Sequence, residues 1–184
     1  MRKSHRLGWA AGIATATVAG VALTSSAVEA RPASPAHRGG TAWTEAANKR
    51  VVEGFLADVL NGHHGGNVKH WWTPDGQFHG GTLGTTTGRD NVTALLTAVV
   101  TAIPDLHAAQ KDIIADGDRV VVRLVVTGTH KGDLIGVPAS NRPVSWDAVD
   151  VYRLENGKIA EEWAAEDLTA FLADTGTYKA PWIP

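Results

Sequence analysis

The chain contains no cysteine. Disulfides, thiol catalysis and thiolate metal sites are therefore excluded. It also lacks an excess of either charge, with 17 basic and 19 acidic residues, and no basic run alternates with aromatic residues. We therefore expect no nucleic-acid partner. Nucleotide-binding loops, dinucleotide-binding glycine motifs and serine-hydrolase elbows are missing too, which leaves those enzyme classes without support.

Histidine is present, but its arrangement does not indicate a metal site. His63 and His64 are adjacent, and His70 follows six residues later. Adjacent side chains point apart on a helix or a strand, and no carboxylate lies at ligand spacing. We therefore expect no bound metal.

The first thirty residues have the pattern of a secretory signal peptide. A basic start at 2–6 precedes an uncharged segment at 7–22, and Val28-Glu29-Ala30 offers small residues for cleavage near Ala30. The alternative is an uncleaved anchor, because 7–28 is just long enough to span a bilayer. Residues 31–43 predict a flexible leader. We expect a secreted protein, without stable membrane insertion after cleavage, whose single domain occupies residues 44–184.

Apolar spacing within that domain changes from helical to alternating along the chain. Helical spacing predicts helices at 44–60 and 88–103, with a helical turn at 68–72. A short strand is predicted at 77–79. A period of two then predicts strands at 106–114, 119–130, 142–154 and 158–167, before a last helical turn at 168–172. Two helices followed by a long meander predict an α+β domain with a curved sheet packed on the helices.

The strand after the Asn156-Gly157 turn carries the first site candidates. Strict alternation places Glu161, Trp163 and Asp167 on the same face as Ile159. A carboxylate beside an apolar and aromatic wall suits a general acid or base, since desolvation raises its pKa. In the alternative interpretation, Asp167 only caps the following helix, and Glu161 pairs with an arginine such as Arg123 or Arg153.

Two histidines are further candidates. His79 follows Phe78 and precedes two glycines, so it could bind a substrate oxygen or hold Asp167 ionised. It could equally be a half-buried residue bonded to a backbone carbonyl. His130 ends a predicted strand where the chain leaves the sheet, and a turn histidine bonded to local backbone is the interpretation we favour.

Aromatic residues provide possible ligand walls. Trp146 shares a face with Asp150 and Tyr152, and these two residues either line a pocket or hydrogen-bond to each other. Four tryptophans could stack on a flat ligand, although large aromatic residues fill cores more often than they line sites. They are Trp71, Trp72, Trp146 and Trp163.

Several short motifs follow one another in register. They are the segments 74–79 (Pro-Asp-Gly-Gln-Phe-His), 103–106 (Ile-Pro-Asp-Leu), 116–120 (Asp-Gly-Asp-Arg-Val), 128–132 (Gly-Thr-His-Lys-Gly) and 157–163 (Gly-Lys-Ile-Ala-Glu-Glu-Trp). Together they resemble the SnoaL-like polyketide and ester cyclases of the nuclear-transport-factor-2-like superfamily, over roughly residues 48–172.

This resemblance implies a curved, mixed or antiparallel sheet wrapped on two to three helices around a deep apolar pocket. It implies ring closure by intramolecular aldol condensation, without metal or cofactor, with Asp167 as the acid/base and His79 as its partner. From their own place in the pattern, the expected substrate-binding residues are Trp163, Trp146, Trp71, His130 and Glu161. Homodimers through the outer face of the sheet are also implied.

We therefore expect a cofactor-independent acid/base enzyme acting on a hydrophobic, polyketide-like carbonyl compound. The alternative is an exported module of the same fold that holds a small apolar ligand or dimerises without chemistry. A secretory signal favours this alternative, because a polyketide-tailoring enzyme would act inside the cell. The placement of Asp167 distinguishes the two, since catalysis requires its carboxylate at the pocket.

Overall fold

The structure is a computed structural model that describes residues 44–179 and 181–182. The predicted signal peptide and the leader at 31–43 lie outside the described residues, as does the possible anchor. No helix within the described residues is long and apolar enough to cross a membrane.

Four helices and six strands follow one another along the chain. The helices are α1 (Glu45–Phe55), α2 (Val68–Trp71), α3 (Arg89–Ala102) and α4 (Leu168–Thr175). A π-helical turn at Leu56–Leu60 extends α1, and single 3₁₀ turns lie at Gly65–Asn67 and Gly81–Leu83. The strands are β1 (Trp72–His79), β2 (Thr85–Thr87), β3 (His107–Asp116), β4 (Arg119–Thr129), β5 (Pro143–Glu155) and β6 (Lys158–Glu166).

All six strands form one curved, mixed sheet in the order β2-β1-β6-β5-β4-β3. Only β1 and β6 run parallel; the other neighbouring pairs are antiparallel. The predicted α+β fold, with a curved sheet on N-terminal helices, is confirmed. The long strands and the helices lie within a few residues of their predicted bounds.

Strand β2 was not predicted, and β1 begins earlier than the sequence indicates. The segment Pro74-Asp75-Gly76 reads as a turn, but it lies inside β1. There, the register against β6 shifts between Trp72 and Gln77. A β-bulge of this kind tolerates proline because the bulged residue does not contribute to the ladder.

The core lies between the inner face of the sheet and the helices. Helix α1 contributes Val52 and Phe55, and α3 contributes Val92 and Leu96, all buried at the helical spacing that predicted these elements. The inner face contributes alternate residues of β4, which are Val120, Val122, Leu124 and Val126. One face of the sheet is therefore fixed against the helices, and a cavity remains between the two.

Candidate active site

An apolar cavity of about 110 Å³ lies between the inner sheet face and the helices. Most of its wall is aliphatic or aromatic, but three carboxyl groups, those of Asp150, Glu162 and Glu166, also line it. Its apolar lining is Phe55, Leu60, Phe78, Leu83, Leu95, Leu96, Val99, Leu106, Leu124, Val126, Leu134, Ile135, Trp146, Leu168 and Phe171. No lysine, arginine or histidine is among the described residues of the lining.

The register of β5 and β6 brings the three carboxyl groups together. Asp150 lies opposite Ala164, so Glu162 and Glu166 are its diagonal neighbours on β6, within side-chain reach. Ala148 in turn lies opposite Glu166. Because the two directly facing residues are alanines, space is left above the sheet where the acidic side chains converge.

Two of these carboxyl groups are almost fully enclosed. Asp150 is 2 % exposed and Glu162 is 5 % exposed. Oδ1 of Asp150 and Oε2 of Glu162 are buried and have no hydrogen-bond partner within the described part of the chain. Unpaired buried polar atoms are costly, and both of these belong to residues that line the cavity. These two oxygen atoms are therefore available to a bound molecule.

Burial raises the pKa of all three carboxyl groups, because desolvation penalises the charged form. For Asp150 the pKa lies well above the ordinary value, through burial first and the charge of Glu166 second. The pKa of Glu162 is also well above its ordinary value, through burial and then the charges of Asp150 and Glu166. Each negative charge therefore disfavours ionisation of the neighbouring carboxyl groups.

Glu166 has a donor that favours its ionised form. The indole N–H of Trp146 donates a hydrogen bond to Oε2 of Glu166, which opposes the rise that burial causes in the pKa of this carboxyl group. The Trp146 ring packs edge-to-face on Phe171, at 5.6 Å between ring centres and an interplanar angle of 82°. Of the three groups, Glu166 is thus the best placed to carry the negative charge.

Tyr152 lies on the same face of β5 and is fully buried. Its hydroxyl donates to Oδ2 of Asp150 over 3.4 Å. Burial, together with the neighbouring carboxylates, holds the pKa of Tyr152 well above its ordinary value. The phenol therefore remains a hydrogen-bond donor behind the carboxyl groups.

Asp167 does not line the cavity. It is exposed, and its Oδ1 accepts a hydrogen bond from the Ala170 amide over 3.1 Å as the N-cap of α4. The expected position at the pocket wall is wrong, because β6 ends one residue earlier and the chain turns into the helix. The alternative prediction, that Asp167 caps the following helix, is confirmed.

Glu161 and Trp163 lie on the outer face of the sheet, away from the cavity. Between β5 and β6 the register shifts: Ile159 pairs with Leu154, but Glu161 pairs with Arg153. Ala160 is the extra residue of this β-bulge. Because one inserted residue reverses the alternation, Glu162 and Glu166 face the cavity instead of Glu161.

His79 joins the residues of that outer face. Its ring stacks on Trp163, with 5.2 Å between ring centres and an interplanar angle of 14°. Nε2 of His79 lies 3.8 Å from Oε1 of Glu161, whose other oxygen accepts a 2.6 Å hydrogen bond from Nε of Arg153. The predicted pairing of Glu161 with an arginine is thus what the structure contains. His79 and Asp167 are not brought together at a common site.

Trp71 and His130 have other local partners. The Trp71 indole N–H donates to Asp58 over 2.9 Å. His130 is fully buried, and its Nδ1 accepts from the Ser140 amide over 3.3 Å. Its ring packs edge-to-face on Phe171, 5.2 Å between centres, but it does not itself line the cavity. Of the predicted site residues, Trp146 alone lies in the cavity wall.

The sequence contained a signal for part of this site. Asp150, Tyr152 and Trp146 do share the inner face, as the alternation of β5 predicts. Glu162 and Glu166 were missed because the bulge at Ala160 leaves no mark in the hydrophobic pattern. Among the described residues, no group of three or more histidine or acidic side chains has an arrangement that could hold a metal ion.

The chain is similar to known proteins over most of this domain. The family model for SnoaL-like polyketide cyclases matches residues 50–175. No curated protein matches the sequence. AclR from Streptomyces galilaeus is 28 % identical, with a TM-score of 0.64 over 74 % of this chain and 100 % of AclR.

Two other solved structures are similar. IdmH from Streptomyces antibioticus is 25 % identical, with a TM-score of 0.61 over 70 % of this chain and 98 % of IdmH. A SnoaL-like polyketide cyclase from Agrobacterium tumefaciens strain C58 shares the fold at 21 % identity, with a TM-score of 0.59 over 68 % of this chain and 95 % of that protein. The family model matches more than half of this chain. The chain therefore belongs to the SnoaL-like polyketide cyclase family.

Proposed function

We propose that the protein is an acid/base enzyme that closes a ring in a hydrophobic carbonyl compound by an intramolecular aldol reaction. One observation carries the proposal. Asp150, Glu162 and Glu166 converge in an apolar cavity, and two of them have a buried oxygen without a hydrogen-bond partner among the described residues. Carboxyl groups with raised pKa values in a dry pocket are suited to proton transfer near neutral pH.

Glu166 is the proposed base. Its carboxylate, held ionised by the indole of Trp146, removes a proton from the carbon next to a carbonyl group. The electrons of that C–H bond pass into the enolate, and Glu166 becomes a carboxylic acid. The apolar wall excludes water, which would otherwise compete for the proton.

Asp150 and Glu162 are the proposed hydrogen-bond donors. A buried carboxylic acid that stays neutral can donate its O–H to an enolate oxygen. The enolate carbon attacks a second carbonyl carbon of the same molecule, so a C–C bond forms and the C=O π electrons move to oxygen. The resulting alkoxide takes back the proton from Glu166. Every group regains its starting state, and the reaction requires proton transfer alone.

The alternative is a binding module that uses the same cavity without chemistry. The apolar lining supports it, and so does the exposed position of Asp167 outside the cavity. The export that residues 1–30 predict would support it too. A module of this kind has no need for three carboxyl groups in its wall, since burying charged groups reduces stability. For this reason we favour the enzyme.

Proton abstraction can be tested without knowing the natural substrate. The probe is a panel of aryl methyl ketones in D₂O, with exchange of the methyl protons followed by NMR. We expect Glu166→Gln to slow the enzyme-dependent exchange by about 10²–10⁴-fold, the usual contribution of a general base. Ketone binding, followed by tryptophan fluorescence, should be retained.

Asp167→Asn is the matched control, because it changes the adjacent carboxylate outside the cavity. It should exchange the ketones at nearly the rate of the wild type. Equal exchange by the Glu166→Gln variant would contradict the proposed base. Binding without exchange in the wild-type protein would favour the binding module.

A further inference from the structure

A tight turn at Leu134–Val137 contributes to the wall of the cavity. Two backbone hydrogen bonds close it, from the Leu134 amide to the Val137 carbonyl over 3.0 Å and in the reverse direction over 2.8 Å. Its two central residues, Ile135 and Gly136, have positive φ values of 46° and 79°, as in a type I′ turn. The side chains of Leu134 and Ile135 both line the cavity.

Isoleucine is an unfavourable residue for the first of these central positions. A β-branched side chain at positive φ is a genuine outlier, because its Cβ crowds the backbone. Asn156 and Gly157 have nearly the same φ values, 50° and 73°, and there the chain uses the Asn-Gly pair that this turn favours. Of the four non-glycine residues with positive φ in the described part of the chain, Ile135 alone is β-branched.

The turn itself would be better served by asparagine or glycine at position 135. The isoleucine side chain therefore has a role outside the turn. Residues held in strained conformations are concentrated at binding and active sites. Ile135 is 40 % exposed and lines the cavity. It thus lies where the cavity meets solvent, whereas Asp150 and Glu162 are enclosed at its buried end.

Leu83 occupies a comparable position on a second turn. It ends the 3₁₀ turn Gly81–Leu83, is 46 % exposed and also lines the cavity. Glycines at 80, 81 and 84 surround it, and two of them have positive φ. Both turns therefore present an exposed aliphatic side chain at the solvent-facing end of the cavity.

We propose that Ile135 and Leu83 determine specificity by extending the apolar wall beyond the enclosed cavity. This inference rests on the proposed function, in which the carbonyl group lies at the carboxyl groups of Asp150 and Glu162. The ligand is then a carbonyl compound with an apolar chain longer than the cavity. The outer part of that chain packs between the two aliphatic side chains, which shield it from water.

A series of linear methyl ketones, from 2-hexanone to 2-dodecanone, tests this inference through equilibrium binding to the full chain. For the wild type we expect affinity to increase by up to about fourfold for each added methylene that becomes buried. The affinity should continue to increase with chain length as the alkyl tail of the ketone reaches Ile135 and Leu83. In Ile135→Asn the shortest ketone should bind as in the wild type, while the longest should bind about tenfold more weakly.

Thermal unfolding of the same variant separates a binding role from a structural one. Asparagine tolerates positive φ and recreates the Asn-Gly turn found at 156–157, so the Tm of Ile135→Asn should equal or exceed that of the wild type. A Tm lowered by several degrees would identify Ile135 as a structural residue and overturn the proposal. Leu83→Asn should show the same selective loss for long ketones.

The matched control is Ile114→Asn, which removes another exposed isoleucine, 59 % accessible, from strand β3 outside the cavity. Its ketone affinities should equal those of the wild type at every chain length. An unchanged length dependence in Ile135→Asn, or an equal loss for all ketones, would overturn the inference. So would failure of the wild type to bind the series. This experiment measures binding and not proton exchange. If Glu166 proves not to be the base, the binding result still stands.

Discussion

The indole N–H of Trp146 donates its hydrogen bond to the carboxylate of Glu166, inside the cavity. A hydrogen bond to the charged form lowers the pKa of the acid, and this bond opposes the effect of burial on Glu166. Phe171 packs against the Trp146 ring from α4. The sheet and the last helix together therefore position a hydrogen-bond donor that favours the ionised form of the proposed base.

Trp146→Phe should shift the pH dependence of ketone exchange. Without the indole donor the pKa of Glu166 increases, so the carboxylate forms only at higher pH. The acid limb of the exchange rate should move to higher pH, while the rate on the alkaline plateau changes much less. Trp163→Phe, on the outer sheet face, is the control and should leave the profile in place. An unshifted profile for Trp146→Phe would contradict this role.

The fold was predictable because its signals are local and numerous. Alternation in β4 and β5 assigns their inner faces, and the Asn156-Gly157 turn fixes the hairpin that leads into β6. The site was less predictable because it depends on one inserted residue. Ala160 is small and apolar, so the bulge leaves the alternation of apolar and polar residues unchanged. That alternation alone places Glu162 on the wrong face of the sheet. Strand β2 was missed because three successive threonines, two of them exposed, give no apolar alternation.

Substituting Asp150 should change how stability depends on pH. Its pKa is raised in the folded state, so the folded protein binds more protons than the unfolded chain once pH exceeds the ordinary carboxyl pKa. The stability associated with Asp150 is therefore fully present below that value and is lost as pH increases toward the folded pKa.

The free energy of unfolding of Asp150→Asn should accordingly fall less between pH 5 and pH 8 than that of the wild type. Denaturant titrations at several pH values measure it. Asp147→Asn, an exposed neighbour on the same strand, should retain the wild-type slope. Parallel curves for Asp150→Asn and the wild type would refute a raised pKa for Asp150.

A larger side chain between the carboxyl groups should weaken ligand binding. Ala164 faces Asp150 across the strand pair, and a leucine there would occupy the space in which the carboxyl groups converge. Ala164→Leu should weaken ketone binding at least tenfold, with a stability cost of about 1–3 kcal/mol from overpacking. Ala165→Leu places the same side chain on the exposed face of β6 and should bind ketones normally. Normal binding by Ala164→Leu would exclude this cavity as the ligand site.

The outer sheet face is proposed to form a homodimer. The strand registers align Ile114, Val121, Val151 and Trp163 in one row across four strands. The adjacent row, Asp116, Arg119, Arg153 and Glu161, carries both charges. Ile114 in this row is exposed and the other three residues are half-buried, and a partly exposed apolar row beside mixed charges suits pairing with a second copy.

Light scattering after gel filtration should give twice the monomer mass for the mature chain. Ile114→Lys would place a charge within the row and should yield monomers. Thr101→Lys, on the exposed side of α3, should leave the mass unchanged. A wild-type protein that stays monomeric at the highest measurable concentration would rule out this use of the face.

Removing the cap at Asp167 should affect stability and leave the proposed chemistry intact. Its carboxylate accepts the amide of Ala170 at the start of α4, and loss of an N-cap costs about 1 kcal/mol. Asp167→Ala should therefore lower the free energy of unfolding by about that amount, whereas Asp167→Ser, which can still cap, should lose less. Phe171 of α4 packs against Trp146, so unfolding of this helix would also disturb the proposed site. Ketone exchange should therefore be measured well below the Tm of each variant. Exchange reduced 100-fold or more in Asp167→Ala, with the helix still folded by circular dichroism, would restore Asp167 as the acid/base.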